Sequence, residues 1–260
     1  MNSKSEKYFR RFLRITPLSV AIWRSVEAKY LANEKIKAPV IDLGCGFGEF
    51  MQCFTDKKID IGLDISKRDL SMAGKTNKYK KLILADARKM PFADNTFYTI
   101  ISISTLEHIK NSNKLLKECY RVLKPGGKII ASIETDRVDN NTFYRPMLKK
   151  YGLKSISKYL TKKYNSFFKR HILLNNNEWK KLFEKNGFKI VKMENIVSPN
   201  VTKIYDLFIL TSWPSQILKV IFGKRMVFKP DFVRNYLVRK YLKYVDEQDN
   251  GTNIFLVAKK

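Results

Sequence analysis

Acidic residues, cysteines and long apolar runs are scarce in this 260-residue sequence. Only 24 Asp and Glu residues accompany 51 Lys and Arg residues, so the formal net charge is +27. The three cysteines, Cys45, Cys53 and Cys119, form no CxxC pair, which argues against a disulfide framework and against a structural zinc site. We therefore expect no metal centre and a chain that folds in a reducing cytosol.

Neither an export signal nor a membrane-spanning segment is predicted. The N-terminus starts with polar and charged residues and lacks the apolar core of a signal peptide. Residues 204–222 form the most apolar window, yet Asp206, Pro214 and Lys219 interrupt it, whereas a spanning helix needs about 20 predominantly apolar residues. We expect a cytoplasmic protein that does not cross a membrane, although this window is compatible with association at its inner face.

Apolar and aromatic residues are otherwise plentiful, at 44% and 13% of the chain, which excludes a disordered polypeptide. At this length one well-filled domain with appended segments is expected. The positive charge is uneven. Residues 137–170 hold ten basic residues and one acid, and residues 203–243 hold nine basic residues and two acids. Clusters of one sign raise the local concentration of anionic partners.

Short apolar runs alternate with segments of helical length. The runs are residues 40–43, 59–65, 81–87, 98–104, 128–133, 188–196 and 253–258. This alternation predicts an α/β fold with a doubly wound, mostly parallel sheet. Helix signals agree with the gaps: residues 66–69 form a predicted capping box, residues 125–127 (Pro-Gly-Gly) are predicted to stop a helix, and a helix opened by residues 175–178 ends at Gly187.

Three segments lie outside the alternating pattern. Residues 1–37 include an amphipathic stretch with Leu18, Ile22, Val26 and Tyr30 at spacings of four, which predicts a helical cap. Residues 135–174 and 197–251 separate later strands and contain the basic clusters. We interpret these two segments as helical insertions.

A strand leads directly into a glycine-rich turn at residues 40–48, VIDLGCGFG. Glycines let backbone N–H groups approach a ligand closely, although tight turns also use glycine for steric reasons alone. Glu49 stands where the dinucleotide fingerprint GxGxxG requires its third glycine, so no pyrophosphate site is predicted.

Two aspartates are predicted to close successive strands after this turn. In doubly wound sheets an acid at the position of Asp64 accepts hydrogen bonds from ribose hydroxyls. Asp86, beside Ala87, is placed to receive an adenine amino group. Taken alone, either aspartate is explained equally well as a helix cap or a turn residue that binds no ligand. Together, after the glycine turn, they predict a nucleoside site.

Five segments in order resemble the motifs of class I S-adenosylmethionine-dependent methyltransferases, and most closely the type 11 (ubiquinone-biosynthesis-like) group. They are VIDLGCGFGEF, IGLDIS, LADARKMPFADNTF, SISTLEHI and RVLKPGGKIIAS. The resemblance implies a Rossmann-like methyltransferase fold with a seven-stranded sheet over residues 38–260, and S-adenosylmethionine as cofactor. The cofactor-binding residues that it implies are Asp42, Gly44, Gly46 and Gly48 for the methionine part, Asp64 and Ile65 for the ribose, Asp86 and Ala87 for the adenine, and Ser102 beneath the sulfonium.

The chain contains two histidines, His108 and His171. His108 follows the fourth predicted strand and His171 ends the first basic insertion, and both are candidates for a general base that assists a hydroxyl acceptor. The alternative for each is a histidine bonded to nearby backbone. Glu107 is a weaker candidate.

The topology suggests where the insertions lie. Ligands of open α/β sheets bind outside the carboxyl ends of the strands, and the first insertion leaves the fifth strand at that end. If the seventh strand is antiparallel, as in the family, the second insertion lies at the same edge. We therefore expect both insertions to cover the acceptor pocket and the N-terminal cap to join them.

The acceptor is then expected to be a small or amphiphilic, anionic molecule methylated at oxygen. A lipid-linked or phosphorylated glycan and a quinone-type precursor fit this description. The apolar residues 207–222, bordered by Lys224 and Arg225, suit the headgroup boundary of an anionic membrane, and their alternative is a lid packed on the core.

Nucleic acid is the competing partner, because tyrosines at 144, 151, 159 and 164 are interleaved with the basic residues. The segment ISISTLEH lacks the Asn/Asp-Pro-Pro-aromatic motif that resembles amino-directed DNA methyltransferases, and there is no Pro-Cys dipeptide for a cytosine-C5 nucleophile. An RNA methyltransferase stays open as an alternative, as does a noncatalytic adenosylmethionine-binding or membrane-docking protein.

Overall fold

The computed structural model describes residues 3–167, 170–208, 229–247 and 250–260. Their helices are α1 Lys4–Ile15, α2 Leu18–Leu31, α3 Glu49–Phe54, α4 Lys67–Lys75, α5 Ser112–Val122, α6 Tyr144–Lys150, α7 Lys154–Phe167, α8 Asn176–Lys185, α9 Pro199–Leu207 and α10 Asp231–Asp246. Their strands are β1 Val40–Leu43, β2 Ile59–Asp64, β3 Tyr79–Leu84, β4 Phe97–Ile103, β5 Leu123–Glu134, β6 Lys189–Ile196 and β7 Asn253–Lys259. Short 3₁₀ turns cover Leu106–His108 and Asp136–Asn140.

The seven strands form one sheet in the order β3-β2-β1-β4-β5-β7-β6. Strands β1 to β5 pair in parallel, with Ile41 opposite Ile61 of β2 and Ile100 of β4. Strand β7 runs antiparallel to β5. The backbone N–H of Lys260, just after the end of β7, donates to the carbonyl of Gly127 near the start of β5 (3.0 Å). The prediction of a seven-stranded, mostly parallel sheet is confirmed. The strand order reverses between β1 and β4, where doubly wound folds bind their ligands.

The chain divides into two compact units. The sheet unit comprises Glu34–Thr135, Arg170–Glu194 and Ile254–Lys260, and the helical unit comprises Met1–Asn33, Asp136–Lys169 and Asn195–Asn253. The three segments of the helical unit are, within a few residues, those that the alternating pattern left out. The predicted cap and the two insertions therefore form one unit.

The core of the sheet unit lies on the faces of the sheet. Trp179 and Phe183 of α8 are fully buried. The ring of Phe188 meets the rings of Phe183 and Tyr120 edge-on, with distances of 5.5 and 5.3 Å between ring centres. Burying such a side chain contributes about 1.5–3 kcal/mol. Helix α8 begins where residues 175–178 predicted it, with a capping box between Asn175 and Glu178. Gly187, the predicted end, follows the helix with φ +89°.

In the helical unit α2 packs against α1, α9 and α10. The predicted helix is confirmed, but its predicted one-sided apolar face is wrong. Ser19, Trp23 and Glu27 are buried together with Ile22 and Val26, because neighbouring helices cover α2 on several sides. The ring of Trp23 lies 5.0 Å from that of Tyr205 in α9.

Two predicted boundaries are wrong. Strand β3 covers Tyr79–Leu84 instead of residues 81–87, because its register with β2 ends where Asp64 faces Leu84. Asp86 therefore lies two residues beyond the strand and does not close it. The Pro-Gly-Gly segment is not a helix stop, since α5 has already ended at Val122 and the segment lies inside β5 at a register shift, with Gly126 at φ +71°.

No helix within the described ranges is long and apolar enough to span a bilayer. Within the same ranges, no group of three or more His, Cys, Asp and Glu side chains is arranged to hold a metal ion.

Candidate active site

The glycine turn lies at the carboxyl end of β1. Gly44, Gly46 and Gly48 adopt φ values of +76°, +51° and +74°, which side chains rarely tolerate. A Cβ on Gly44 would clash with the side chain of Thr105, whereas a Cβ on Gly46 would meet nothing within 4 Å. The turn is therefore closely packed at its first glycine and open at its second.

Asp64 joins the end of β2 to this turn. Its Oδ2 accepts a hydrogen bond from the N–H of Gly46 at 2.8 Å, and its Oδ1 accepts one from the N–H of Ser66 at 2.9 Å. The Ser66 hydroxyl caps α4 by accepting from Asp69, so only this half of the predicted capping box is seen. A carboxylate offers about four lone-pair sites, so Asp64 retains acceptor capacity for a ligand.

Asp42 is buried behind the turn and accepts a hydrogen bond from the Tyr79 hydroxyl at 2.7 Å. Burial raises the pKa of Asp42 to about 7, and the nearby charge of Asp64 adds to the effect. The Tyr79 ring fits because Gly48 and Gly62 lack side chains. A Cβ on Gly48 would lie 3.1 Å from the ring, and a Cβ on Gly62 would lie 2.8 Å from it. Sequence reasoning missed Tyr79, because β3 was expected to begin at residue 81.

Two large apolar side chains are exposed at neighbouring strand ends. Ile65, which follows β2, leaves 69% of its surface accessible, and Leu84, which ends β3, leaves 53%. Ile65 was predicted at the ribose, whereas Leu84 was missed because the strand was expected to continue past it. Both lie close to Asp64, which precedes Ile65 in the chain and faces Leu84 in the sheet.

Asp86 lies in the turn after β3 and pairs with Arg88. The guanidinium Nη2 lies 2.6 Å from Oδ2, Nε lies 3.0 Å from both carboxylate oxygens, and this pair lowers the pKa of Asp86. The Ala87 side chain is buried in the core, so a ligand contact there would fall to its backbone. The adenine roles of both residues stay predictions.

Ser102 is buried within β4, and its hydroxyl donates to the carbonyl of Leu43 at 3.2 Å. This bond ties β4 to β1 next to the glycine turn. Its expected position beneath a sulfonium stays a prediction.

The structure brings the backbone of His171 next to the turn beyond β4 that contains His108. His108 ends the 3₁₀ turn and is partly buried, while His171 is exposed. The backbone N–H groups of His171 and Ile172 both donate to the carbonyl of Glu107, each at 3.1 Å. Through these two hydrogen bonds the Glu107 carbonyl fixes the backbone at residues 171–172 beside the turn that contains His108.

Glu107 also belongs to a buried charged cluster. Its fully buried Oε1 accepts from the N–H of Glu134 at 3.3 Å, and the Glu134 carboxylate pairs with Arg170 at 2.5 Å. Burial of such charges is tolerated when they are paired. No sequence signal links Glu134 to Arg170, since 35 residues separate them and the contact is tertiary.

Comparison with known proteins identifies the domain. Residues 41–131 match the type 11 family described as "Methyltransferase domain". They belong to the class I S-adenosylmethionine-dependent methyltransferases. The resemblance seen in the sequence is thereby confirmed, together with the enzyme class and with S-adenosylmethionine as its cofactor.

Three further similarities concern individual relatives and the fold. An uncharacterized protein of Methanocaldococcus jannaschii is 29% identical over 76% of this chain and 87% of its own length. The demethylmenaquinone methyltransferase of Bacillus licheniformis is 34% identical over 44% of this chain and 52% of its own, so this match spans about half of that relative. A Thermotoga maritima methyltransferase structure, described as a possible histamine N-methyltransferase, shares the fold with a TM-score of 0.58 at 19% identity, covering 94% of this chain and 91% of that one.

The methyltransferase cofactor fits the residues present. Gly46 leaves open space beside Asp64, and the exposed side chains of Ile65 and Leu84 each offer apolar surface to a nucleoside. The Asp64 carboxylate can accept hydrogen bonds that the ribose hydroxyls donate.

Proposed function

We propose that this domain transfers the methyl group of S-adenosylmethionine to an anionic or amphiphilic small molecule, at an oxygen atom. The observation that carries the proposal is the hydrogen bond from the N–H of Gly46 to Asp64, which couples the open glycine turn to a carboxylate at the next strand end. The bound cofactor would supply an activated methyl group on a sulfonium.

The residues of the chain would bind and orient the two reactants. Asp64 would accept hydrogen bonds from the ribose, Ile65 and Leu84 would contact the adenosyl group, and the turn at Gly44 and Gly46 would face the methionine part. Correct alignment with exclusion of water contributes about 7–11 kcal/mol to such a reaction. Alignment is thus the main task of this site.

The acceptor side would lie at the carboxyl ends of β4 and β5. His108 is our candidate general base, with His171 as the second candidate, and Glu107 would hold the two in place through its carbonyl. A positioned base contributes about a hundredfold to ten-thousandfold.

The anionic nature of the acceptor is supported by charge. Residues 140–177 contain no acid, and the chain carries 27 more basic than acidic residues. A phosphorylated or lipid-linked glycan or a quinone-type precursor fits, and the predicted cover by the two insertions would attract it. An RNA substrate is the alternative.

The test uses methyl-labelled cofactor with separated lipid, quinone, glycan and RNA fractions. We expect label in a small-molecule or lipid-linked fraction, bound through oxygen. His108→Ala should slow transfer at least about a hundredfold with unchanged cofactor affinity. Label confined to RNA would contradict the proposed small-molecule acceptor and favour an RNA methyltransferase. Cofactor binding without labelling of any fraction would favour a noncatalytic protein.

A further inference from the structure

We propose that α6 and α7 of the helical unit form a docking surface for the anionic face of a lipid bilayer. The surface comprises residues 143–166. It adds a partner to the proposed function and does not depend on which acceptor is methylated. Residues 209–228, which include most of the apolar segment first considered for this role, lie outside the described residues.

Exposed apolar side chains concentrate on this surface. Among the described residues thirteen large hydrophobic side chains are exposed, and seven of them lie between positions 143 and 160. They are Phe143, Met147, Tyr151, Leu153, Ile156, Tyr159 and Leu160. Single exposed apolar residues are ordinary on protein surfaces. A cluster of this kind marks an interaction surface.

The same surface carries charge of one sign. No acid occurs between Asp139 and Glu178. The exposed basic residues are Lys149, Lys150, Lys154, Lys158, Lys162 and Lys163. Arg145, in contrast, is buried and pairs with Asp139 at 2.5 Å. The lysines therefore give the surface a positive charge that no acid of its own segment offsets.

Helix α7 carries its exposed apolar residues on one side and three of its four exposed lysines on another. The fourth, Lys163, lies on the apolar side, with its Nζ 5.6 Å from the centre of the Tyr159 ring. The packed side of α7 is held by the Ser157 hydroxyl, which donates to the carbonyl of Arg145 in α6 at 3.0 Å. One exposed row is Ile156, Tyr159 and Leu160, and the other is Lys154, Lys158 and Lys162. Spacings of three and four place each row on its own side of the helix. A helix at a bilayer surface inserts its apolar row at the headgroup boundary and extends its lysines to the phosphates.

The apolar row favours lipid over nucleic acid. Single-stranded nucleic acid gains by stacking bases on aromatic rings. Ile156 and Leu160 of this row, and Leu153 just before the helix, have no ring, and they gain only by leaving water. A bilayer accommodates both the aliphatic side chains and the lysines.

The test measures co-sedimentation of the full chain with vesicles. One set contains phosphatidylcholine alone and the other contains phosphatidylcholine with phosphatidylglycerol. We expect binding to the anionic set that weakens with added salt, and much weaker binding to the neutral set. Lys154→Gln/Lys158→Gln/Lys162→Gln should lower the affinity about a hundredfold, since each basic residue near an anionic surface contributes about 1 kcal/mol.

A matched control removes the same charge elsewhere. Lys181, Lys185 and Lys189 are exposed on α8 and β6 of the sheet unit, and their triple change to Gln should leave vesicle binding nearly unchanged. Equal weakening by both triple variants would overturn the proposal, because net charge alone would then explain the binding.

The apolar row is tested separately. Tyr159→Ser/Leu160→Ser should weaken vesicle binding about tenfold, as expected for partial burial of two such side chains. Val191→Ser, which changes an exposed apolar residue on β6, should have no effect. Equal binding to neutral and anionic vesicles, or binding to a single-stranded RNA oligonucleotide but not to vesicles, would contradict the proposal. Affinity for S-adenosylhomocysteine, measured in parallel, reports on the methyltransferase site. It distinguishes a failure of the docking proposal from a failure of the proposed function.

Discussion

At the scale of single residues, Asp64 combines two tasks. It holds the N–H groups of Gly46 and Ser66, and we propose that it also binds the ribose. Asp64→Ala should lower the affinity for S-adenosylhomocysteine about tenfold to a hundredfold, since a hydrogen bond to a charged group contributes about 1.5–3 kcal/mol. Isothermal titration calorimetry measures the change.

Asp60 provides the matched control for this variant. It lies at the opposite end of β2 and also accepts a backbone N–H, that of Val40 at 2.8 Å. Asp60→Ala should lose stability without losing cofactor affinity. Unchanged affinity in Asp64→Ala would show that the nucleoside does not bind at this carboxylate.

Asp42 makes stability depend on pH. Its pKa is raised from 3.8 to about 7 in the folded protein, so the folded state holds a proton that the unfolded state releases between these values. Asp42 therefore makes its full contribution to the free energy of unfolding below about pH 4. This contribution, a few kcal/mol at most, is lost as the pH rises to 7. Asp42→Asn keeps an acceptor for Tyr79 and should remove this dependence.

Urea unfolding at pH 5 and pH 8 tests this expectation. The difference in midpoint between the two pH values should be smaller in Asp42→Asn than in the parent chain. An unaltered difference would mean that the carboxyl is not the group that titrates. Tyr79→Phe serves as a second probe, because it removes the hydrogen bond and leaves the carboxyl in place.

At the scale of elements, the glycine turn separates packing from ligand access. Gly44→Ala should be strongly destabilising, because its Cβ would clash with Thr105 and its φ is +76°. Gly46→Ala should cost only about 1–2 kcal/mol for its left-handed backbone, yet it fills the open space beside Asp64 and should weaken cofactor binding. Thermal unfolding and calorimetry with S-adenosylhomocysteine distinguish the two.

A rescue variant sharpens this comparison. Thr105→Ser removes the methyl group that a Cβ on Gly44 would meet most closely, so it should restore part of the stability lost in Gly44→Ala. It should do nothing for Gly46→Ala. Equal losses of stability in both glycine variants would contradict the distinction.

The elements also show what a sequence can reveal. Strands β1, β2 and β4 were predicted within about a residue because a buried parallel strand needs a continuous apolar run. Strand β3 was misplaced, since Tyr79 belongs to it through pairing with Ile59 rather than through local hydrophobicity. The same error hid the contact between Tyr79 and Asp42. Glu134 and Arg170 were missed because only tertiary structure brings them together.

At the scale of the whole molecule, the sheet unit alone contains every residue predicted to bind the cofactor, while the helical unit takes up most of both basic clusters. We therefore propose that recognition of the cofactor and attraction of anionic partners belong to separate parts of the chain. We expect substitutions on α6 and α7 to affect the second property and to leave the first unchanged.

The net charge of +27 should also govern how the acceptor is captured. Long-range attraction acts through solvent, and its range falls from about 10 Å at 0.1 M salt to about 3 Å at 1 M. For an anionic acceptor, KM should therefore rise several-fold over this interval while kcat stays nearly constant, because charges that only attract do not act on the bound reactants. Steady-state kinetics in a sodium chloride series measures both constants. The KM for the cofactor, whose proposed site is Asp64 and the glycine turn, serves as the internal control and should change much less. An acceptor KM that does not respond to salt would exclude electrostatic capture and would point to a neutral acceptor.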